Sequence, residues 1–194
     1  MKDGQPFRYI SGSMHYFRIH PRQWRDRLRK LRATGCNAVQ VYVEWRTHMA
    51  TQDGMCWRNF CDLTRFLRLA QEIGLYVILR PGPFIDAERE FGGMPAWLLT
   101  REPEMRVRSS DPRFIAEVDR WFSALFEKIK SFSYVENGGP IIMVQVENEY
   151  GSYGVQTDKC DVKYLAFLRD KILDAFGKDT FLFTTDGFTL DRIR

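Results

Sequence analysis

The sequence has no apolar run long enough to cross a bilayer, few histidines, few cysteines and no glycine-rich phosphate loop. Its longest apolar stretches, Leu75 to Leu79 and Pro140 to Val144, are strand-sized. A spanning helix needs ~20 residues, so no membrane span is expected. Cys36, Cys56, Cys61 and Cys160 are too sparse for a disulfide scaffold and lack zinc-site spacing. Cys56 and Cys61 are near enough for a local disulfide, although nothing in the sequence demands one. The three histidines, His15, His20 and His48, lack His-Glu-x-x-His spacing and stand on different segments, so no metal centre is expected. Neither Gly-x-Gly-x-x-Gly nor a Walker sequence occurs, and no cofactor is expected. No apolar segment follows Met1-Lys2-Asp3-Gly4, so no signal peptide is read, and there is no Asn-x-Ser/Thr acceptor. The charge balance, 29 − 25 = +4, is modest. Acidic residues are interspersed among the basic ones, and the densest basic run, Arg22 to Arg32, reads as the solvated face of a helix. Nucleic acid is therefore not an expected partner.

What is present suits a folded domain. The 194 residues are 44% hydrophobic and 14% aromatic, enough apolar surface to offset the entropy of ordering the backbone. Strands and helices alternate, as in a parallel sheet with helical crossovers. Strands are predicted at Phe7–Gly12, Ala38–Val43, Leu75–Arg80, Pro140–Val146 and Thr180–Thr185. Between them lie four helices. The first opens at Pro21, carries Trp24, Leu28 and Leu31, and closes at Gly35. The second is capped by Asn59, buries Phe60, Leu63, Leu67, Ala70 and Ile73, and stops at Gly74. The third runs from Pro112 with Phe114, Val118, Trp121, Leu125 and Ile129 on one face, and the fourth carries Val162, Leu165, Leu168, Ile172 and Phe176. The segment from Phe84 to Pro112 has little periodicity beyond a short helix at Ala96–Leu99. Such units build either a doubly wound sheet or a (β/α)₈ barrel. Polar loops at the C-terminal ends of the strands, where a barrel keeps its active site, favour the barrel.

Carboxylates concentrate at those ends. Unbroken alternation would put Gln145, Glu147 and Glu149 on one side, with Val144 and Val146 against the helices. Two close carboxylates repel, so one would retain a proton and serve as a general acid. Ion pairing with the many arginines is the other reading, and both stand. Asp86, Glu88 and Glu90 form a second cluster after Arg80-Pro81-Gly82-Pro83. Tyr42, Trp45, Phe84, Trp97, Tyr150 and Tyr153 lie near the same ends, where aromatic faces would suit the C–H faces of a sugar.

Four longer motifs carry a resemblance: Ser11-Gly12-Ser13-Met14-His15-Tyr16-Phe17-Arg18, Arg80-Pro81-Gly82-Pro83-Phe84-Ile85, Gly92-Gly93-Met94-Pro95-Ala96-Trp97-Leu98 and Gln145-Val146-Glu147-Asn148-Glu149-Tyr150-Gly151-Ser152-Tyr153. With Phe183-Thr184-Thr185-Asp186-Gly187, they resemble the family 35 glycoside hydrolases, the acid β-galactosidases and their paralogues, from about Phe7 to Gly187. The resemblance implies an α/β chain forming a partial (β/α)₈ TIM barrel, about its first five units, with residues 1–194 the N-terminal portion of one catalytic barrel. It implies a retaining enzyme that releases terminal β-galactose from an oligosaccharide or glycoconjugate. By likeness Glu149 is the general acid/base, while Asn148, Tyr42, Ala87, Glu88 and Glu147 match positions in or around the galactose pocket. The family's nucleophile, a glutamate after strand seven, has no counterpart among these residues. The chain alone is therefore expected to be incomplete for catalysis.

Three departures fall on the pocket. Where the family has Tyr-Val-Pro-Trp-Asn this chain has Tyr42-Val43-Glu44-Trp45-Arg46; His-Glu-Pro becomes His48-Met49-Ala50; and Cys-Ala-Glu-Trp becomes Asp86-Ala87-Glu88-Arg89. They motivate the alternative of a non-catalytic sugar-binding paralogue or an inactive truncated product. Likeness places the full-length parent in lysosomes or outside the cell. A whole barrel takes ~250 residues, so the chain is expected to hold about five-eighths of one.

Overall fold

The computed structural model describes residues 3–153 and 160–186. Five strands, β1 (Ser11–Ser13), β2 (Ala38–Tyr42), β3 (Tyr76–Arg80), β4 (Ile141–Gln145) and β5 (Phe181–Phe183), form one parallel sheet in the order β1-β2-β3-β4-β5. A doubly wound sheet reverses its strand order and carries helices on both faces. Here the order is sequential, and Val39, Val41, Val77, Leu79 and Val144 share one buried core with the helices. This is the architecture of the first five units of a (β/α)₈ barrel.

The helices are α1 (Trp24–Ala33), α2 (Trp45–His48), α3 (Leu63–Ile73), α4 (Trp97–Arg101), α5 (Pro112–Ile129), α6 (Tyr134–Asn137) and α7 (Val162–Phe176). The crossover helices α1, α3, α5 and α7 turn apolar stripes inward: Trp24 and Leu28; Phe66, Leu67 and Ala70; Val118, Trp121 and Leu125; Leu168, Ile172 and Phe176. Aspartates start three of them. Asp62 accepts from the Arg65 N–H at 3.1 Å, Asp111 from Arg113 at 3.0 Å, and Asp161 from Tyr164 at 3.1 Å. Each such cap stabilises its helix by about 1 kcal/mol. Gly74 ends α3 in the left-handed region at φ 78°.

Several boundaries differ from expectation for identifiable reasons. Asp62 caps the second crossover helix instead of Asn59, which opens a separate turn, Asn59–Cys61, at φ 53°. Phe60 on that turn is 41% exposed instead of buried, and Cys56 and Cys61 are joined in a disulfide. The first strand pairs only over Ser11–Ser13. Before it, the Asn37 side chain accepts from the Ile10 N–H at 2.8 Å and donates to the Arg8 carbonyl at 2.9 Å, replacing ladder bonds. In α7, Val162 is 70% exposed and Tyr164 is fully buried. The aliphatic stripe concealed an aromatic residue whose hydroxyl has a buried partner. No helix among the described residues is long and apolar enough to cross a membrane.

Candidate active site

Strand register sets the geometry of the site. Tyr42 pairs with Arg80, Leu79 with Val144, and Gln145 with Phe183, so Tyr42, Arg80 and Gln145 end side by side at the C-terminal rim. Arg80 organises that rim. Its guanidinium lies 4.2 Å from the Tyr42 ring centroid, donates through Nε to Gln145 Oε1 and through Nη2 to Asn148 Oδ1, and reaches Thr185 Oγ1 at 3.3 Å. Arginine can only donate, so the amide atoms facing it are oxygens. Gln145 must then point Nε2 toward Asn148 Oδ1 (3.3 Å) and Thr185 Oγ1 (2.5 Å). With its oxygen held by these donors, Asn148 has its amide nitrogen as the group left to meet a ligand's hydroxyl. Its backbone is buried next to an exposed Glu149, which bends away in the left-handed region at φ 50°.

Glu149 acts electrostatically on both Tyr42 and Arg80, and Asp86 and Glu88 act on Tyr42. These carboxylates therefore lie within electrostatic reach of the Tyr42–Arg80 pair. Partial burial raises the Tyr42 phenol above its ordinary value, with the carboxylates adding to the rise and Arg80 opposing it. His15 meets Tyr42 edge-on with ring centroids 5.1 Å apart. Burial, then the Arg18 guanidinium bonded to its Nδ1, lowers the His15 pKa. Arg18 also donates to the carbonyl of Ala87 and, at 3.5 Å, to that of Glu88. That contact holds a tight turn, for Asp86, Ala87 and Glu88 all have positive φ, 54°, 54° and 49°. Each left-handed residue with a side chain costs about 1–2 kcal/mol, so the surroundings must enforce the turn.

Glu147 departs from expectation. The strand ends at Gln145, and Glu147 at φ 59° breaks the alternation that would have put it beside Glu149. It is 1% exposed, paired with Arg108 through both oxygens at 2.9 and 2.7 Å and bonded by the Tyr164 hydroxyl at 2.9 Å. Arg108 also donates to the Asn148 carbonyl at 2.7 Å and packs 3.8 Å from the Phe84 ring centroid and 4.1 Å from that of Tyr153. The ion-pair reading thus describes Glu147, which braces the back of the Asn148–Glu149 segment instead of lining the pocket. Tyr164 responds to the burial and the adjacent carboxylate with a pKa pushed well up.

The other candidates divide similarly. Trp45 and Tyr150 belong to the core, Trp97 donates to the Met49 carbonyl at 2.9 Å, and Tyr42 alone of the six aromatics packs on Arg80 at the rim. His48 is buried with Tyr16 and the Cys56 carbonyl, while His20 caps a turn by accepting from Arg22. Among the described residues no group of three or more His, Cys, Asp or Glu side chains is arranged to hold a metal. Two of the three departures from the family pattern meet: Arg89 donates through Nε and Nη2 to the buried Glu44 carboxylate. Arg80, Thr185, Arg18 and Arg108 were not singled out from the sequence as site residues. Arg18, Arg80 and Thr185 lie within the motifs that carry the resemblance, Arg80 also as a charge ending the apolar run Val77-Ile78-Leu79, whereas Arg108 left no signal.

A family model described as glycosyl hydrolases family 35 matches residues 1–192. The chain is 53% identical over 187 residues to a beta-galactosidase of Felis catus and 52% identical over 187 to that of Homo sapiens, in each case 96% of this chain and 27% of the relative. It is 50% identical over 185 residues to the beta-galactosidase-1-like protein of Mus musculus, 95% of this chain and 28% of that one. The chain thus spans just over a quarter of the length of these curated relatives. Among solved structures, the exo-beta-1,4-mannosidase Op5Man5 from Opitutaceae bacterium strain TAV5 superposes with a TM-score of 0.69 at 13% identity, over 92% of this chain and 32% of that one. GH5_18 from Streptomyces cattleya, in complex with GlcNAc, superposes with a TM-score of 0.66 at 16% identity, over 92% of this chain and 44% of that one. At such low identity these structures speak for the fold.

Proposed function

This chain belongs to glycosyl hydrolases family 35, and from that membership we propose that it supplies the acid/base side of a retaining β-galactosidase site within a longer protein. The observation that carries the reading is the network from Arg80 through Gln145 and Thr185 to Asn148 Oδ1. It fixes an amide donor for a sugar hydroxyl immediately before the exposed Glu149.

A retaining glycosidase uses two carboxyl groups about 5–5.5 Å apart, one as acid/base and one as nucleophile. Glu149 protonates the glycosidic oxygen as the leaving group departs, then takes a proton from the water that releases the sugar. The nucleophile comes from a later strand, after the position of β5. Tyr42 and Glu88 contact the galactose hydroxyls from the neighbouring strand ends. Ala87 has only a methyl side chain, so its contact is through the backbone. Its carbonyl is engaged by Arg18, leaving the N–H for the substrate. The Cys56–Cys61 disulfide supports maturation in an oxidising compartment, in keeping with a lysosomal or extracellular parent.

In a protein that continues through the remaining barrel strands, hydrolysis of an aryl β-galactoside followed by proton NMR should release the β-anomer first. Glu149→Gln should lower turnover about 10²–10⁴-fold, the usual contribution of a positioned acid/base. First release of the α-anomer, or unchanged turnover in the variant, refutes the assignment. Binding of galactose without turnover supports the sugar-binding alternative instead.

A further inference from the structure

The geometry points to Glu44 as a positioning residue that sets the Asp86–Glu88 turn through Arg89, so that the pocket's sugar-contacting backbone depends on a buried charge outside it. This rests on the galactoside-binding reading of the pocket.

Glu44 follows β2 and is fully buried. Three donors converge on its carboxylate: Arg89 Nε on Oε1, Arg89 Nη2 on Oε2 at 3.2 Å, and the Thr47 hydroxyl on Oε2. Arg89 is the residue at which the left-handed turn ends, and its own N–H closes the turn on the Asp86 carbonyl at 3.0 Å. The side chain that reaches Glu44 therefore starts from the turn itself. Glu44 also lies under the far side of the loop, where a Cβ on Gly93 would stand 3.2 Å from its Cγ. An outer strap runs parallel, with Arg46 donating to Glu90 at 2.6 Å, but both partners are exposed.

A buried ion pair seldom stabilises a fold better than apolar side chains of the same volume would. What such a pair provides is direction. Here the bidentate guanidinium can dock in only one orientation on a carboxylate already fixed by Thr47. Arg18 holds the carbonyls of Ala87 and Glu88 from the opposite side. Together the two arginines clamp three consecutive residues in a conformation they would not keep alone.

The test uses the chain continued through the remaining barrel strands, with two readouts, amide hydrogen exchange by residue and the dissociation constant for 1-deoxygalactonojirimycin from NMR titration. Glu44→Gln keeps the shape but turns an amide donor toward Arg89, and Arg89→Met keeps the stem. Each should speed exchange at residues 87–92 by about tenfold or more while α5 is unchanged, as for a local opening, and weaken the iminosugar by about tenfold. The double variant should be no worse than either single one, and Arg89→Lys should fall between parent and Arg89→Met. Unchanged exchange and affinity in Glu44→Gln overturn the inference. So does faster exchange throughout the chain, which marks a merely structural role. If that unsubstituted protein binds no iminosugar, the galactoside reading fails, and the exchange arm alone decides whether Glu44 sets the turn.

Discussion

The Arg108–Glu147 pair makes a quantitative demand on the fold. Both side chains are almost wholly buried, 6% and 0% exposed. Arg108→Met preserves the apolar stem against Phe84 and Tyr153 but withdraws two bonds from the carboxylate and one from the Asn148 carbonyl. Glu147 would retain only the Tyr164 hydroxyl and the adjacent Asn148 N–H. Stranding one member of a buried pair costs about 3–5 kcal/mol, a large share of the roughly 5–15 kcal/mol that holds a domain together. At about 2–4 °C per kcal/mol for a chain of this size, the melting temperature should fall by roughly 6–20 °C. Urea unfolding followed by tryptophan fluorescence measures the same loss. Glu147→Gln added to Arg108→Met removes the stranded charge and should recover part of it. An Arg108→Met melt within about 1 °C of the parent, or costs in the two variants that simply add, would refute the view of this pair as a coupled brace.

Three further outcomes follow from named contacts. His48 is buried and its pKa is lowered to about 4 by desolvation; the unfolded chain therefore binds the proton more readily, and stability falls with decreasing pH from ~6.5 to ~4. The loss between pH 7 and pH 5 should be about 2 kcal/mol in urea midpoints, and His48→Gln should flatten that step; a step unchanged in the variant contradicts the assignment. Gly92→Ala puts a Cβ 2.0 Å from Phe84 Cε2 at φ 58°, whereas Gly74→Ala at φ 78° meets nothing within 4 Å. The first should cost about 1–3 kcal/mol more than the second by thermal melt, and equal losses would deny the close approach. Arg80→Lys cannot bond Gln145 and Asn148 together in the same fork. With about 1.5–3 kcal/mol per charged hydrogen bond, it should lower kcat/KM of the complete protein about 10–100-fold, and near-wild-type kinetics would remove Arg80 from the site.

The features legible in the sequence were those that repeat along the chain. Apolar runs such as Val77-Ile78-Leu79 and the stripe from Phe114 to Ile129 placed strands and helices within a few residues of their observed positions. The motif around Asn148 and Glu149 drew attention to the strand end where Arg80, Gln145 and Asn148 meet. What the sequence hid depends on single dihedral angles and long-range partners. Nothing in Gln145-Val146-Glu147 announces that the strand stops at Gln145, yet that stop sends Glu147 to Arg108, 39 residues away. Asn59 and Asp62 are both acceptable caps by residue type, and the disulfided turn before the helix leaves the role to Asp62. Likewise Glu44 and Arg89 are 45 residues apart and read singly as rim charges. Only their meeting gives either one a role.

Proton donation by Glu149 to the departing oxygen would show in the leaving-group dependence of Glu149→Ala in a protein carrying the whole barrel. A 2,4-dinitrophenyl group departs as a stable anion and needs no proton, whereas a methyl or sugar leaving group does. The variant should form its galactosyl-enzyme from the dinitrophenyl galactoside at close to the parent rate, seen as a burst. It should be slowed about 10²–10⁴-fold on the poor leaving groups, and added azide should release β-galactosyl azide from the stalled intermediate. Equal slowing on every leaving group, with no burst and no azide product, would contradict Glu149 as the acid/base.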